Sequence, residues 1–156
     1  MAFEIEHKYL TVSDEYRQMA VRSHYISQGY LNTDPDRVVR IRIRDDEAFI
    51  TVKGRNRGDI RLEFEYPVPK EDAEEMLSLC VNVISKRRYV VPFKGYYWEV
   101  DEFDGKLKGL TVAEVELNSS HTDYPLPDFV GKNITGDSRY YNSVLASEGL
   151  PTESAD

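Results

Sequence analysis

The sequence predicts an α+β protein built on an eight-stranded antiparallel β-barrel with a few flanking helices. Apolar residues occupy every second position in eight short segments, and turn residues separate these segments. Charged residues also recur two positions apart, and most strands offer charges of a single sign. Residues two apart lie on the same face of a strand, so each strand has an apolar face and a charged face.

The first half of the chain is predicted to be mostly strands. They span residues 2–10, 23–31, 38–44, 48–55 and 60–68, and a short helix with Ser13 as its N-cap runs to about Met19. Polar and glycine-containing turns at 32–36, 45–47 and 56–59 separate the later strands. Short turns between successive strands predict a meander order.

The second half begins after Pro69 with a helix at about 70–80, whose acidic first turn suits the positive end of the helix dipole. Strands follow at 83–92, 96–103 and 107–117, and a last helix spans about 138–148. Residues 1–150 are predicted to form a single domain, and residues 151–156 a disordered C-terminal tail.

Composition excludes several classes of protein. The net charge of −8 and pI near 5.0 argue against a general nucleic-acid binder, which needs a basic surface. One cysteine excludes an internal disulfide and, with three histidines, makes a structural zinc site implausible. No signal peptide pattern and no apolar run of membrane-spanning length occur, so we expect a cytoplasmic protein without a membrane partner.

The charged strand faces indicate a ligand. Such alternation at one strand is normal for an antiparallel sheet in water, but here it recurs in nearly every strand with the signs sorted. If these faces line a barrel, the buried charges must be satisfied by opposite charges, water, metal ions or a ligand. Clustered carboxylates favour hard cations such as Mg²⁺ or Mn²⁺, and clustered Lys and Arg favour phosphate. The sequence therefore predicts a metal–phosphate site.

A series of motifs resembles the CYTH, or triphosphate tunnel metalloenzyme, superfamily. The N-terminal Glu4-Ile-Glu6-His7-Lys8 matches its ExExK signature. The resemblance covers nearly the whole chain and continues through Gln28-Gly29-Tyr30-Leu31, Ile41-Arg42-Ile43-Arg44, Thr51-Val52-Lys53, Glu63-x-Glu65, Lys86-x-Arg88-Tyr89, Glu99-x-Asp101, Ala113-Glu114-Val115-Glu116 and Asp137-x-Arg139-Tyr140-x-Asn142.

This resemblance implies a tunnel-forming barrel and a divalent-metal-dependent reaction on a triphosphate. The chain is most similar to short bacterial inorganic triphosphatases, which hydrolyse tripolyphosphate to pyrophosphate and phosphate. Carried over by position, the expected metal ligands are Glu4, Glu6, Asp101, Glu114 and Glu116. The expected phosphate-binding residues are Lys8, Arg42, Arg44, Lys53, Lys86, Arg88 and Arg139. Glu4, Glu6, Lys8, Lys86 and Glu116 form the expected catalytic set. Glu63, Glu65 and Glu99 fall at matching acidic positions, where each would bind metal directly or support the site by orienting the cations or positioning water.

Other activities share this pattern. A nucleoside or thiamine triphosphatase, or a class IV-type adenylate cyclase, would use the same triphosphate-binding residues. A non-catalytic polyphosphate-binding module is a further alternative, although both carboxylate pairs, Glu4/Glu6 and Glu114/Glu116, favour an enzyme. Apolar strand faces left uncovered by the helices allow a homodimer.

A few positions need separate interpretation. Ser138 and Tyr141 stand where related sequences often carry lysine. Arg40 adds a third cation to its strand, and it is expected at the solvent edge, with the tunnel mouth as the alternative. His7 and Trp98 each lie one position from a charged residue of the tunnel face, so they point to the opposite face of their strands. Both are therefore expected outside the tunnel.

Overall fold

In a computed structural model, which describes residues 3–152, eight antiparallel strands close into a barrel. The strands are β1 (Phe3–Thr11), β2 (Arg22–Tyr30), β3 (Val38–Arg44), β4 (Glu47–Lys53), β5 (Ile60–Val68), β6 (Asn82–Phe93), β7 (Tyr96–Phe103) and β8 (Thr111–Glu116), and a ninth, β9 (Val130–Asn133), extends the sheet beside β1. The helices are α1 (Tyr16–Met19), α2 (Lys70–Ser78) and α3 (Asn142–Glu148), and 3₁₀ turns span Gly105–Leu107 and Ser138–Tyr140. The predicted fold class is confirmed.

The barrel consists of a four-stranded meander, β2 to β5, a three-stranded meander, β6 to β8, and β1, which joins the two. The strand order is β5-β4-β3-β2-β6-β7-β8-β1, and β1 also pairs with β5, which closes the ring. The meander order predicted from the short turns is confirmed for β2 to β5 but not for β1, which lies between β8 and β5 rather than beside β2.

The first strand pairs with β5 along one edge and with β8 along the other. Residues 3–5 pair with 60–62 of β5, and residues 6–10 pair with 112–116 of β8. Beyond the β5 ladder, the backbone N–H of Glu6 donates to the carbonyl oxygen of Asp59 at 3.1 Å. The seam between β1 and β5 is therefore short.

Apolar side chains pack on the outside of the barrel. Trp98, Val100 and Val115 lie against Tyr16 and Phe129 in one cluster. Two further clusters are centred on Leu145 of α3 and on Ala73 of α2. The helices thus cover much of the apolar strand faces, although Val52 on β4 and Leu62 and Phe64 on β5 stay exposed, and the charged faces point inward.

Several predicted boundaries differ from the structure. The strand predicted at 107–117 begins at Thr111, because a 3₁₀ turn and Gly109, with a φ of 101°, precede it. The helix predicted at 138–148 is a 3₁₀ turn and a helix separated by the extended Tyr141. Ser13 is not the N-cap of α1, which begins at Tyr16. Strand β9 was not predicted, since its four residues are too few for a periodic signal.

Other predictions remain untested or fall at the ends of the chain. Residue 2, placed in the first strand, lies outside the described residues, as does most of the predicted tail at 151–156. Among residues 3–152, no helix has both the length and the apolar composition to span a bilayer. The cytoplasmic location and the homodimer stay predictions.

Candidate functional site

All eight barrel strands contribute side chains to one central cavity of about 620 Å³, part of which is open to solvent. Seven cationic and six carboxylate side chains line it. The cations are Lys8, Arg40, Arg42, Lys53, Arg61, Lys86 and Arg88, and the carboxylates are Glu4, Glu6, Glu63, Glu99, Glu114 and Glu116. Tyr30, Val38 and residues 141–143 complete the wall. Charges that are far apart in the sequence therefore converge on one space.

The carboxylates of β1 and β8 are brought together by strand register. Glu6 is opposite Glu116 and Lys8 is opposite Glu114. The Nζ atom of Lys8 lies 3.4 Å from Oε1 of Glu6 and 3.8 Å from Oε1 of Glu114. Although burial alone would lower the pKa of Lys8, these carboxylates raise it above its ordinary value, so Lys8 stays protonated.

Three glutamates of the cavity have raised pKa values. Burial is the largest cause for Glu4, Glu114 and Glu116, and repulsion from neighbouring carboxylates adds to it. The partner of Glu4 is Lys53, whose Nζ lies 3.5 Å from Oε1 of Glu4. In the folded protein these carboxylates are short of positive charge, as expected of groups that bind a cation.

A fully buried ion triad lies at one wall of the cavity. Asp101 accepts from Nε and Nη2 of Arg88 at 2.7 and 2.9 Å, and its Oδ2 lies 2.7 Å from Nζ of Lys86. Burial would raise the pKa of Asp101, but the two cations hold it below its ordinary value. Burial, together with Arg88 and Arg42, lowers the pKa of Lys86. Asp101 therefore fixes two cations whose remaining faces meet the cavity.

A neutral side chain positions Arg42. Oε1 of Gln28 accepts from Nε and Nη2 of Arg42 at 3.0 and 2.8 Å, and Nε2 of Gln28 donates to the hydroxyl of Tyr30 and to Oδ1 of Asn142. Burial, reinforced by Arg40 and Arg88, lowers the pKa of Arg42 to about 9. Arg42 is therefore a buried cation without a carboxylate in hydrogen-bond contact, which suits it to an anionic ligand.

Arg40 belongs to the cavity, which corrects the expectation that it sits at the solvent edge. It is only 5% exposed, and its Nη2 donates to Oγ1 of Thr51 at 3.1 Å and to Oε2 of Glu65 at 3.3 Å. Its Nε atom is buried without a hydrogen-bond partner. A buried donor left unpaired is costly, so a ligand oxygen would satisfy it.

Arg44 does not line the central cavity. It lies in a second cavity with Arg22, His24, Tyr96 and Tyr97, which we call the outer chamber. Glu99 and Glu116 line both spaces, so the outer chamber adjoins the central cavity on that side. Nη2 of Arg44 is 3.6 Å from Oε1 of Glu47, and its guanidinium lies over the ring of Phe49.

Three other predicted residues lie away from the cavity surface. Arg139 is half-exposed and paired with Asp137, with Nη2 2.7 Å from Oδ2, so the structure does not bring it to the site. Asp101 lies behind Lys86 and Arg88, and both of its oxygens are occupied. Glu65 accepts hydrogen bonds from Arg40 and Thr51 and supports the wall.

Sequence reasoning gave no role to five residues that shape the cavity. They are Gln28, Tyr30, Arg61, Tyr141 and Asn142. Gln28 and Tyr30 lie on one face of β2. Because neither side chain is charged, the alternation of charged residues does not mark them. Arg61 has the parity of Glu63 and Glu65, so alternation could have found it. No periodicity marks residues 141 and 142, which follow a 3₁₀ turn.

The donor set fits a hard divalent cation. Among the described residues, no three carboxylate, histidine or cysteine side chains are already close enough to hold a metal ion by themselves. The cavity nevertheless offers carboxylate oxygens with raised pKa values, and Oε2 of Glu63 is buried without a hydrogen-bond partner. Oxygen donors of this kind suit Mg²⁺ or Mn²⁺. Phosphate oxygens of a substrate commonly provide further ligands to these ions.

Fold and site together define an antiparallel barrel with a charged internal tunnel, and sequence comparison identifies the family. The CYTH domain profile matches residues 2–142, and the chain belongs to the CYTH domain family.

The chain is similar to named triphosphatases over nearly its whole length. It is 44% identical over 147 residues to an inorganic triphosphatase of Acetivibrio thermocellus, covering 93% of this chain and 94% of that protein. It is 30% identical over 148 residues to an inorganic triphosphatase of Nitrosomonas europaea, covering 92% and 96%. A crystal structure of the inorganic triphosphatase NE1496 superposes with a TM-score of 0.66 at 30% identity, covering 92% of this chain and 97% of that one.

The ion triad makes a testable contribution to stability. We expect Asp101→Asn to lower the free energy of unfolding by about 3–5 kcal/mol, because it leaves Lys86 buried without a carboxylate partner and Arg88 with only the more exposed Glu99, 3.2 Å from its Nη1. Urea denaturation followed by circular dichroism measures this change. Asp36→Asn, which removes an exposed carboxylate 3.9 Å from Arg55, is the control and should change it by less than about 1 kcal/mol. Equal effects of the two variants would contradict the assigned role.

The raised pKa of Glu114 predicts a pH-dependent effect on stability. A carboxyl group with a higher pKa in the folded state favours folding when protonated, and this contribution is lost as pH rises through the folded-state value. Without divalent metal at neutral pH, Glu114→Gln should therefore raise Tm by about 2–4 °C, the shift that 1 kcal/mol produces in a chain of this size. The difference should vanish below the ordinary glutamate pKa. Differential scanning calorimetry in EDTA checks it, and a lower Tm for the variant at neutral pH would contradict it.

Proposed function

We propose that this protein hydrolyses inorganic tripolyphosphate to pyrophosphate and phosphate in its central cavity, with Mg²⁺ or Mn²⁺ as the required metal. The observation that carries the proposal is the convergence of seven cations and six carboxylates, from seven of the eight barrel strands, on one space. The names of the relatives at 44% and 30% identity support the same substrate.

The charge balance of the cavity supports a requirement for metal. Its cationic and carboxylate side chains are nearly equal in number, so the empty site is close to electrically neutral. A triphosphate carries several negative charges, and its transfer from water into this enclosed space would be unfavourable without added positive charge. Divalent cations held by the glutamates would bring that charge into the site together with the substrate.

The cations have different roles in binding the phosphate chain. Arg42 and Arg88 are oriented by Gln28 and Asp101, so their guanidinium groups are held in place before substrate arrives. Planar guanidinium groups bind phosphate oxygens through paired hydrogen bonds, whereas Lys8, Lys53 and Lys86 act as compact charges. Arg40 would donate its unpaired Nε–H to a phosphate oxygen.

In the proposed reaction, water attacks a phosphorus atom and the bond from that phosphorus to the bridging oxygen breaks. The bridging oxygen leaves with the departing phosphate group. Glu4, Glu6, Glu114 and Glu116 would hold the metal, which when bound neutralises phosphate charge and makes water more acidic. Lys8, Arg42, Lys86 and Arg88 would stabilise negative charge on the phosphate oxygens as the bridging bond breaks. Glu116, the most exposed of the four glutamates, would orient the attacking water.

A phosphate-release assay tests the substrate. Tripolyphosphate, ATP and thiamine triphosphate would be compared with Mg²⁺ and with Mn²⁺, and formation of cyclic AMP would be measured in the ATP reaction. The proposal predicts the highest kcat/KM for tripolyphosphate. A higher value for either organic triphosphate, or formation of cyclic AMP, would favour the corresponding alternative. Binding without release of phosphate from any substrate would indicate a polyphosphate-binding module.

Removing the charge of Glu116 should abolish most turnover. Glu116→Gln retains the size of the side chain but loses the anionic donor and water-orienting group, so kcat should fall about 100-fold or more. The matched control is Glu75→Gln, an exposed position on α2, which should keep normal turnover. Circular dichroism would verify that both variants fold. Near-normal turnover of folded Glu116→Gln with saturating metal would contradict the role of Glu116.

Arg42 should matter most for substrate binding. Arg42→Ala removes a buried cation that no carboxylate contacts through a hydrogen bond, and KM for tripolyphosphate should rise about 10-fold or more, the cost of one lost charge-assisted hydrogen bond. Arg42→Lys should recover part of this loss, since it restores the charge but not the paired geometry. Steady-state kinetics measure both values. An unchanged KM in Arg42→Ala would show that Arg42 does not bind the substrate.

A further inference from the structure

The barrel wall has a gap beside the central cavity. The ladder between β1 and β5 ends at the pair Ile5 and Ile60, the turn before β5 diverges, and β9 pairs with this edge of β1 only from Tyr9. A small side cavity occupies this place, lined by Glu6, Lys8, Asn56, Gly58, Asp59, Arg61, Gly136 and Tyr141. Four of these residues, Glu6, Lys8, Arg61 and Tyr141, also line the central cavity.

Tyr141 fills the gap between the two spaces. Its ring centroid lies 5.9 Å from Nζ of Lys8 on β1 and 5.7 Å from Cζ of Arg61 on β5, so it bridges both edges of the seam. Its hydroxyl accepts a hydrogen bond from Nδ2 of Asn56 at 2.7 Å. We call Tyr141, with its contacts Lys8, Arg61 and Asn56, the end wall. A cation beside an aromatic ring is a favourable contact, so the ring is held from two sides.

The end wall and the outer chamber lie at opposite ends of the tunnel. Along β3, Arg44 lines the outer chamber, and Arg42, Arg40 and Val38 follow in the central cavity. Along β6, Val90 lines the outer chamber, and Arg88 and Lys86 follow.

Lys86, at the far end of this series, donates to Oδ1 of Asn142, the neighbour of Tyr141. Residues two apart on a strand are separated by about 6.6 Å, so Arg44 and Val38 are about 20 Å apart along β3.

We infer that Tyr141 is a specificity-determining residue that blocks one end of the tunnel and thereby fixes the register in which a linear phosphate chain is cut. This inference rests on the proposed function. A chain that comes in from the outer chamber stops with its terminal phosphate at the end wall. Each phosphorus then has one defined position relative to the glutamates, and only one bridging bond is placed for attack.

Linear tetrapolyphosphate distinguishes a fixed register from a variable one. Water can cut it at an outer bridge, giving tripolyphosphate and phosphate, or at the central bridge, giving two pyrophosphates. In each case the water oxygen bonds to one phosphorus, and the bridging oxygen leaves with the electron pair on the other product. Tripolyphosphate cannot report register, because both of its bridges give the same products.

The experiment identifies the first products from tetrapolyphosphate by ³¹P NMR under initial-rate conditions. The wild-type protein should give one of the two product pairs. Tyr141→Ala should give both pairs, because the chain can slide past the opened wall, whereas Tyr141→Phe, which keeps the ring but loses the hydrogen bond from Asn56, should give only a small share of the second pair. Asn56→Ala removes the hydrogen bond to the Tyr141 hydroxyl. This variant should also give both product pairs, with a smaller share of the second pair than Tyr141→Ala gives. Tyr66→Ala, at an exposed position on β5, is the control and should behave as wild type.

The outcomes separate this inference from the proposed function. Release of phosphate from tripolyphosphate by Tyr141→Ala, with an unchanged single product pair from tetrapolyphosphate, would overturn the end wall and leave the proposed function standing. Both product pairs from the wild-type protein would also overturn the role of the end wall and leave the proposed function standing. If Tyr141→Ala does not fold, unchanged products from Asn56→Ala would overturn the inference. No phosphate release by the wild-type protein from either substrate would overturn the proposed function, and the inference with it.

Discussion

One buried carboxylate, Asp101, holds two cations of the cavity wall in place, and the rest of the site is arranged around that ion triad. Lys86 and Arg88 are almost completely removed from solvent, which would be strongly unfavourable without a counter-charge. Because Asp101 occupies one side of each cation, their remaining hydrogen-bond donors are directed toward the cavity and Asn142. The triad thereby makes a stable wall out of groups that can also bind phosphate.

The other charges are arranged along the tunnel axis. Glu99 and Glu116 lie on the side shared with the outer chamber, whereas Lys8, Lys86 and Arg61 lie nearer the end wall. Antiparallel register produces this arrangement, since it sets Glu6 opposite Glu116 and Lys8 opposite Glu114. A phosphate chain in the tunnel would therefore meet Glu99 and Glu116 near the outer chamber, and Lys8 and Arg61 together with Glu6 near the end wall.

The sequence was sufficient to predict which face each strand presents, but not where each residue lies along the tunnel. Alternation placed Arg40, Arg42 and Arg44 on one face, yet Arg40 is buried at the cavity and Arg44 lies in the outer chamber. Depth depends on strand tilt and on the register with neighbours, which a period of two does not encode. The roles of Asp101 and Gln28 depend on contacts between strands, and that of Tyr141 on how the C-terminal segment returns to the β1–β5 seam.

The central claim is that opposite walls of one tunnel hold a metal-bound triphosphate between them. A crystal structure with Mn²⁺ and a non-hydrolysable imido analogue of tripolyphosphate tests this directly, because anomalous scattering locates manganese independently of the phosphate density. The account predicts manganese bound to carboxylates of β1 and β8, and phosphate oxygens in contact with Arg42 and Arg88. Manganese and the analogue bound on the outer surface of the barrel, with the central cavity filled only by water, would contradict it.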